Sequence, residues 1–276
     1  MKRVSSLPDD TCLGSVRLRV SDLERQVGFY RDVLGLRLLA AEGGSVSLGA
    51  GDDGAALLVL DEAPGAPAPP PRSPGLYHVA YLLPRRSDLA AAVVGLRARG
   101  WRFDGFADHA VSEAAYLSDP EGNGIELYAD RPREDWRVVG GETYMTTAPL
   151  DLGGLLAEAL GAGERLPVET VVGHVHLKTS SLAAAEAFYV GRLGFAVTTR
   201  TYPGALFVAA GGYHHHVGLN VWTSREAAPP PQGSRGLVSF ELVVPDAGTR
   251  RRFLDGADEG SLAGPDGEVV RVVVRA

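Results

Sequence analysis

His78, Glu126 and His174 are three side chains of metal-binding type at related places in a chain of 276 residues with seven histidines. Glu126 sits in Ser118-Asp-Pro-Glu-Gly-Asn-Gly-Ile-Glu-Leu-Tyr128, a tight turn that feeds a strand. Side chains alternate along a strand, so if Ile125 and Leu127 face a hydrophobic layer, Glu126 faces the other way, together with Gly124 and Tyr128. Two neutral imidazoles and one carboxylate suit a non-haem divalent metal and leave coordination positions open for substrate and oxygen. Zinc with a hydrolytic water fits the same donors. Either histidine alone reads better as an ordinary hydrogen-bonded residue, and a lone strand glutamate better as a solvated edge. The trio gains weight from where it falls in a repeat.

That repeat is a unit of strand, helix and three strands. Gly14-Ser-Val-Arg-Leu-Arg-Val20 alternates like a half-buried strand, and Ser21-Asp-Leu-Glu24 is a capping box for a helix carrying Leu23, Val27, Tyr30 and Leu34. Gly35 ends the helix, and residues 36–41, 45–48 and 55–61 read as strands. A proline-rich connector over 62–74 is too poor in donors for a central strand. The pattern restarts with a strand over 76–83, a helix over 87–99 and strands near 101–106, 113–117 and 124–128. Residues 131–171, with a helix over 151–160, read as the link between halves, and a third unit opens at Val172.

Gly14-Ser-Val-Arg-Leu matches Gly173-His-Val-His-Leu, Phe29-Tyr30 matches Phe188-Tyr189 and Leu34-Gly35 matches Leu193-Gly194, all 159 residues apart. The second and fourth units match at a spacing of 161: Gly75-Leu-Tyr-His-Val with Gly236-Leu-Val-Ser-Phe, and Pro84 with Pro245. The expected fold is α+β, with four βαβββ modules in two tandem halves paired into curved, barrel-like sheets around a metal site. Residues 1–135 form the first half, 136–170 a linker with a short helix and 171–276 the second half. His78 and His174 hold one strand position in modules two and three, where modules one and four carry Ser15 and Ser239. Glu126 in module two corresponds to Arg271 in module four. Completing the trio therefore requires module two to pair with module three, and one with four.

Composition narrows the partners. A net charge of −7 without long like-charge runs argues against nucleic acid and anionic membranes, and favours small molecules. With 45% hydrophobic and 22% charged residues the composition is ordinary for a globular protein. The single Cys12 rules out an intrachain disulfide and a thiolate zinc cluster, and fits a reducing compartment. No apolar run is long enough to span a membrane, and Met1-Lys-Arg-Val-Ser-Ser is not followed by the apolar core of a signal peptide. A cytoplasmic location is expected.

With these motifs the chain resembles the vicinal-oxygen-chelate superfamily of glyoxalases, bleomycin-resistance proteins and type I extradiol dioxygenases, and within it the tandem catechol 2,3-dioxygenase branch. The resemblance rests on Gly173-His-Val-His-Leu with Ala187-Phe-Tyr and Leu193-Gly-Phe, on Gly75-Leu-Tyr-His78, on the run from Tyr116 to Glu126 and on Gly211-Gly-Tyr-His-His-His-Val-Gly-Leu-Asn220. It implies that His78, His174 and Glu126 are iron ligands and that His215 is the acid-base group. It also implies that Tyr116 is a phenol that hydrogen-bonds substrate. Strict strand parity would group His214 with His216 and set His215 on the other face, so a bulge before Val217 is needed for His215 to face the cavity; without it His214 or His216 does. His109 is either a loop residue supporting the site from behind or an exposed loop histidine. His176, about 6.6 Å along the strand from His174, belongs to the cavity wall.

The implied activity is Fe(II)-dependent extradiol cleavage of a catechol or hydroquinone-type aromatic, with Mn(II) as the alternative metal. The partners are then a small aromatic substrate and dioxygen, and a homo-oligomer is compatible with the sequence. Two rival readings use the same scaffold: a glyoxalase-like metal-dependent isomerase, which would want a fourth donor such as Asn220 or His176, and a non-catalytic protein that binds an aromatic ligand.

Overall fold

The computed structural model describes residues 6–52, 54–254 and 260–275. The N-terminal residues read for a leader lie, except for Ser6, outside them. Module one comprises β1 (Cys12–Val20), α1 (Leu23–Gly28), β2 (Arg37–Glu42), β3 (Ser45–Gly49) and β4 (Leu58–Glu62). Module two comprises β5 (Gly75–Leu82), α2 (Arg86–Ala98), β6 (Gly105–Asp108), β7 (Ser112–Ser118) and β8 (Gly124–Asp130). The link carries the short strands β9 (Val138–Val139) and β10 (Glu142–Thr143) and the helix α3 (Leu152–Ala157). Module three follows with β11 (Val171–Lys178), α4 (Leu182–Tyr189), β12 (Ala196–Thr199), β13 (Ala205–Ala209) and β14 (Val217–Asn220). Module four adds β15 (Gly236–Val244), α5 (Ala247–Phe253), β16 (Ser261–Ala263) and β17 (Val269–Val274), one strand fewer than the others among the described residues.

The modules pair across the tandem halves. One sheet runs β16-β17-β15-β1-β4-β3-β2 and joins modules one and four; the other runs β12-β13-β14-β11-β5-β8-β7-β6 and joins modules two and three. In each sheet the two first strands of the modules lie antiparallel at the centre, β1 on β15 and β11 on β5. This is the pairing required to complete the trio. One continuous apolar core runs through both sheets and their helices, with Leu18, Leu58, Leu60, Val79, Leu127 and Val175 fully buried. Each such side chain contributes roughly 1.5–3 kcal/mol relative to exposure, so the alternation of the strands fixes which face is left for chemistry.

Several boundaries differ from the sequence expectation. The first helix is capped by Asp22, whose side chain accepts from the Arg25 N–H, not by Ser21. Ser21 is drawn away because its N–H and hydroxyl donate to Glu121 Oε1 at 2.9 and 2.8 Å. The helix continues as a π-turn over Phe29–Leu34 and stops at Gly35, whose φ of 94° is left-handed. The strand expected at 101–106 forms instead over 105–108, and α3 is shorter than the expected 151–160, with Asp151 as its cap. The repeated Phe-Tyr pair has a structural duty: the Tyr30 hydroxyl donates to Asp119 in the turn before β8, as Tyr189 does to Glu268 in the turn before β17. Among the described residues no helix is long and apolar enough to cross a membrane.

Candidate metal centre and cavity

Strand register brings the chemistry together. Across the middle of the second sheet His174, Ala80, Glu126 and Tyr116 form one row, each opposite the next on β11, β5, β8 and β7. The neighbouring row carries Phe207, Gly218, His176 and His78 on β13, β14, β11 and β5. Two residues apart on a strand is one face, so both rows look into the same concavity. Ala80 lies between His174 and Glu126 and occupies little of the space above it. Gly124, at the start of β8, lets that strand close on β5, because a Cβ there would fall inside contact distance of the Tyr77 carbonyl oxygen.

His78, Glu126 and His174 converge, with one donor atom from each within 4.8 Å of the others. All three are buried, and Glu126 Oε2 lies 3.0 Å from His78 Nε2 and 3.1 Å from His174 Nε2. Burial opposes the charge of Glu126, but the imidazoles of His174 and His78 outweigh it and hold the carboxyl well below the usual carboxylate range. Burial pushes His174 down to about 4 against the pull of Glu126. A carboxylate beside a neutral imidazole is the protonation pattern a metal ion needs. His78 Nε2 is fully enclosed and, although 3.0 Å from Glu126 Oε2, makes no well-aligned hydrogen bond within the described residues. These residues fit a divalent cation.

A cavity of about 310 Å³ opens above the trio. Aromatic groups from Tyr77, Phe207, Tyr202 and Trp222 wall it, and among the described residues no lysine or arginine lines it. Part of the wall comes from Met145, Thr146 and Thr147, in the segment read from sequence only as a link. That segment is pinned by the Asp108–Ala148 bridge and by a 2.7 Å contact between the Thr147 and Tyr202 hydroxyls.

Tyr116 and His109 meet in the cavity. His109 Nδ1 lies 2.6 Å from the Thr146 carbonyl oxygen, which only accepts, so Nδ1 carries a hydrogen. A neutral His109 then accepts at Nε2 from the Tyr116 hydroxyl, 2.6 Å away. Burial and the charge of Glu126 raise the Tyr116 phenol well above its ordinary value. His109 thus lines the cavity rather than standing exposed in its loop, and the next residue, Ala110, has a left-handed φ of 67°.

The parity question at 214–216 is resolved because these residues precede β14, and only His216 bonds through its backbone to the flanking strands, at Val208 and Val175. His215 lines the cavity, its ring 4.1 Å from that of His174, whereas His214 and His216 do not. Burial lowers His215 well below an ordinary histidine. His216 turns away, accepting the Ala210 N–H at Nδ1. His176 is a wall residue whose Nε2 accepts from Asn220 Nδ2 at 3.0 Å, so these two groups satisfy one another and add no fourth donor beside the trio. The sequence reading missed the aromatic wall; Phe207, Tyr202 and Trp222 flank the histidine triple in the chain, but nothing in their spacing marks them as facing it.

Comparisons with known proteins bear on this arrangement. Residues 13–127 match the family described as Glyoxalase/Bleomycin resistance protein/Dioxygenase superfamily. A catechol-2,3-dioxygenase of Bacillus subtilis is 47% identical over 249 residues, covering 88% of this chain and 86% of that protein. A biphenyl-2,3-diol 1,2-dioxygenase 3 of Rhodococcus globerulus is 31% identical over 157 residues, covering 53% of this chain and 80% of its own length. Among solved structures, glyoxalase I from Zea mays superposes with a TM-score of 0.58 at 15% identity over 96% of this chain and 92% of that one, a likeness of fold. The four-module architecture and the extended match to a full-length relative place the chain in the glyoxalase/bleomycin resistance protein/dioxygenase superfamily.

Proposed function

We propose that this protein is an Fe(II)-dependent extradiol dioxygenase that opens the ring of a catechol or hydroquinone-type aromatic. The observation that carries the reading is the convergence of His78, Glu126 and His174 beneath an aromatic-walled cavity, in a chain similar over most of its length to a catechol-2,3-dioxygenase. These three residues would hold the metal, with His78 and His174 as neutral donors and Glu126 as the anionic one. A bound Fe(II) would hold diol and dioxygen together and let electrons pass between them, so that one ring carbon–carbon bond breaks and both oxygen atoms enter the product.

The chain's own groups supply orientation and proton transfer. The aromatic wall would stack on a flat ring and shield it from water, which would strengthen polar contacts inside. Tyr116 gives its hydrogen to His109, so its oxygen lone pairs are free to accept from a substrate hydroxyl. His215, neutral and facing the cavity, would take a proton from the substrate hydroxyl and return it as the ring opens. The described residues offer three donor groups at the centre, which favours this reading over a glyoxalase-type isomerase.

The test is oxygen consumption by anaerobically purified protein whose metal content has been measured, with catechol and hydroquinone as substrates and with Fe(II) or Mn(II) restored to the stripped protein. Uptake of one dioxygen per diol with iron is expected. Metal-loaded protein that consumes no oxygen with either substrate sinks the proposal.

A further inference from the structure

Asp130 and His214 have no part in the reading above. Asp130 ends β8, with its side chain 23% exposed, and its Oδ1 lies 2.9 Å from Nε2 of the fully buried His214. Nδ1 of His214 in turn lies 2.8 Å from Nδ1 of His215. The other oxygen of Asp130 accepts from the Tyr213 hydroxyl at 2.9 Å.

The direction of each bond follows from donor capacity. An ionised carboxylate only accepts, so Nε2 of His214 carries a hydrogen. One hydrogen lies between the two Nδ1 atoms, and with a single hydrogen on His214, at Nε2, it belongs to His215 Nδ1. His215 is left with an unprotonated Nε2, the nitrogen with no hydrogen-bond partner among the described residues. The hydrogen bond made by one ring nitrogen sets the state of the other.

We propose that Asp130 and His214 are positioning residues that hold His215 in its Nδ1–H tautomer, with the Nε2 lone pair available in the cavity. The base role of His215 belongs to the function proposed above; the tautomer rests on the hydrogen-bond geometry with a single hydrogen on His214. Without the relay, His215 would divide between two tautomers, and the fraction carrying hydrogen on Nε2 could not accept a proton there.

The experiment pairs nitrogen NMR of the histidine rings in the full chain loaded with diamagnetic zinc with oxygen-uptake kinetics of the iron-loaded protein on catechol. Wild-type protein is expected to show hydrogen on Nδ1 of His215 and none on Nε2. His214→Leu removes the acceptor and should populate the other tautomer, lowering kcat by about 3- to 10-fold with KM within about twofold and iron content unchanged. His214→Asn restores an acceptor where Nδ1 stood and should recover the tautomer and most of kcat. Tyr213→Phe removes the other bond to Asp130, outside the relay, and should leave kcat within about twofold. A wild-type spectrum with hydrogen on His215 Nε2, or full kcat in a folded, iron-loaded His214→Leu, overturns the proposal. A wild type that consumes no oxygen would overturn the function proposed above, while the spectrum would still decide the tautomer.

Discussion

The two sheets share one blueprint, yet only one of them assembles a metal-type cluster among the described residues. In the second sheet Ala80 stands opposite Glu126; at the equivalent place in the first, Glu241 stands opposite Arg271. His176 opposite His78 becomes Arg17 opposite Ser239. The position of His174 is taken by Ser15, whose N–H donates to Glu241 Oε2 at 3.0 Å. Arg17 is paired with Asp61, and Arg271 is exposed. All seven histidines belong to modules two and three and the loops between their strands. A shared register therefore makes a site in one sheet and a filled wall in the other. The difference lies partly in donors and partly in volume: where Ala80 leaves room, Glu241 fills the space and satisfies itself on backbone.

Exchanging equivalent residues tests that contrast, and the largest effect belongs to the donors. His174→Ser, which installs the residue of the first sheet, should weaken metal binding more than about 100-fold and abolish oxygen uptake, as read by elemental analysis and an oxygen electrode. Retention of stoichiometric metal would show that the trio is not the centre. Ala80→Glu keeps all three donors and imports the side chain that fills the other sheet. It should cost about 1–3 kcal/mol of stability in urea titration and leave the iron content below about a tenth of wild type. Full iron content there would mean that volume is not what separates the sheets. Tyr116→Phe leaves the donors intact and should lower kcat by about tenfold with metal retained.

Acid should act through the histidine-bearing sheet. Burial pushes His216 down to about 3 in the folded protein, against an ordinary value near 6.5. Between those values the unfolded chain binds a proton that the folded chain does not, so stability falls as pH drops from about 6.5 to 3, by up to about 1.4 kcal/mol per pH unit. His216→Leu should flatten the pH dependence of the unfolding free energy by about one proton over that window. Hydrogen exchange in acid should rise first in β11 to β14. Arg271→Ala, at the exposed equivalent of Glu126, should be the smallest change, within about 0.5 kcal/mol and with kcat unaltered.

Much of this contrast is legible in the chain itself. A spacing of 159 residues aligns His174 with Ser15, and alternation around Ile125 and Leu127 turns Glu126 toward the face opposite the core. The absence of a third donor in module one already requires modules two and three to pair, as the sheet order shows. Less legible were groups whose orientation leaves the strand period. His215 could not be separated from His214 and His216, because the three precede β14 and bend rather than alternate. The aromatic wall and the contribution of Met145, Thr146 and Thr147 come from segments without periodicity, which carry no directional signal.

The sequence by itself determined the repeat, the strand faces and the identity of the three side chains that converge, because these follow from local periodicity and from comparison of one copy with another. Only the tertiary structure decided that Ala80 leaves a space, that Asp130 reaches His214 and that the link closes over the cavity. Such contacts join residues far apart in the chain, and their geometry depends on how the strands curve and pack once the sheets have formed.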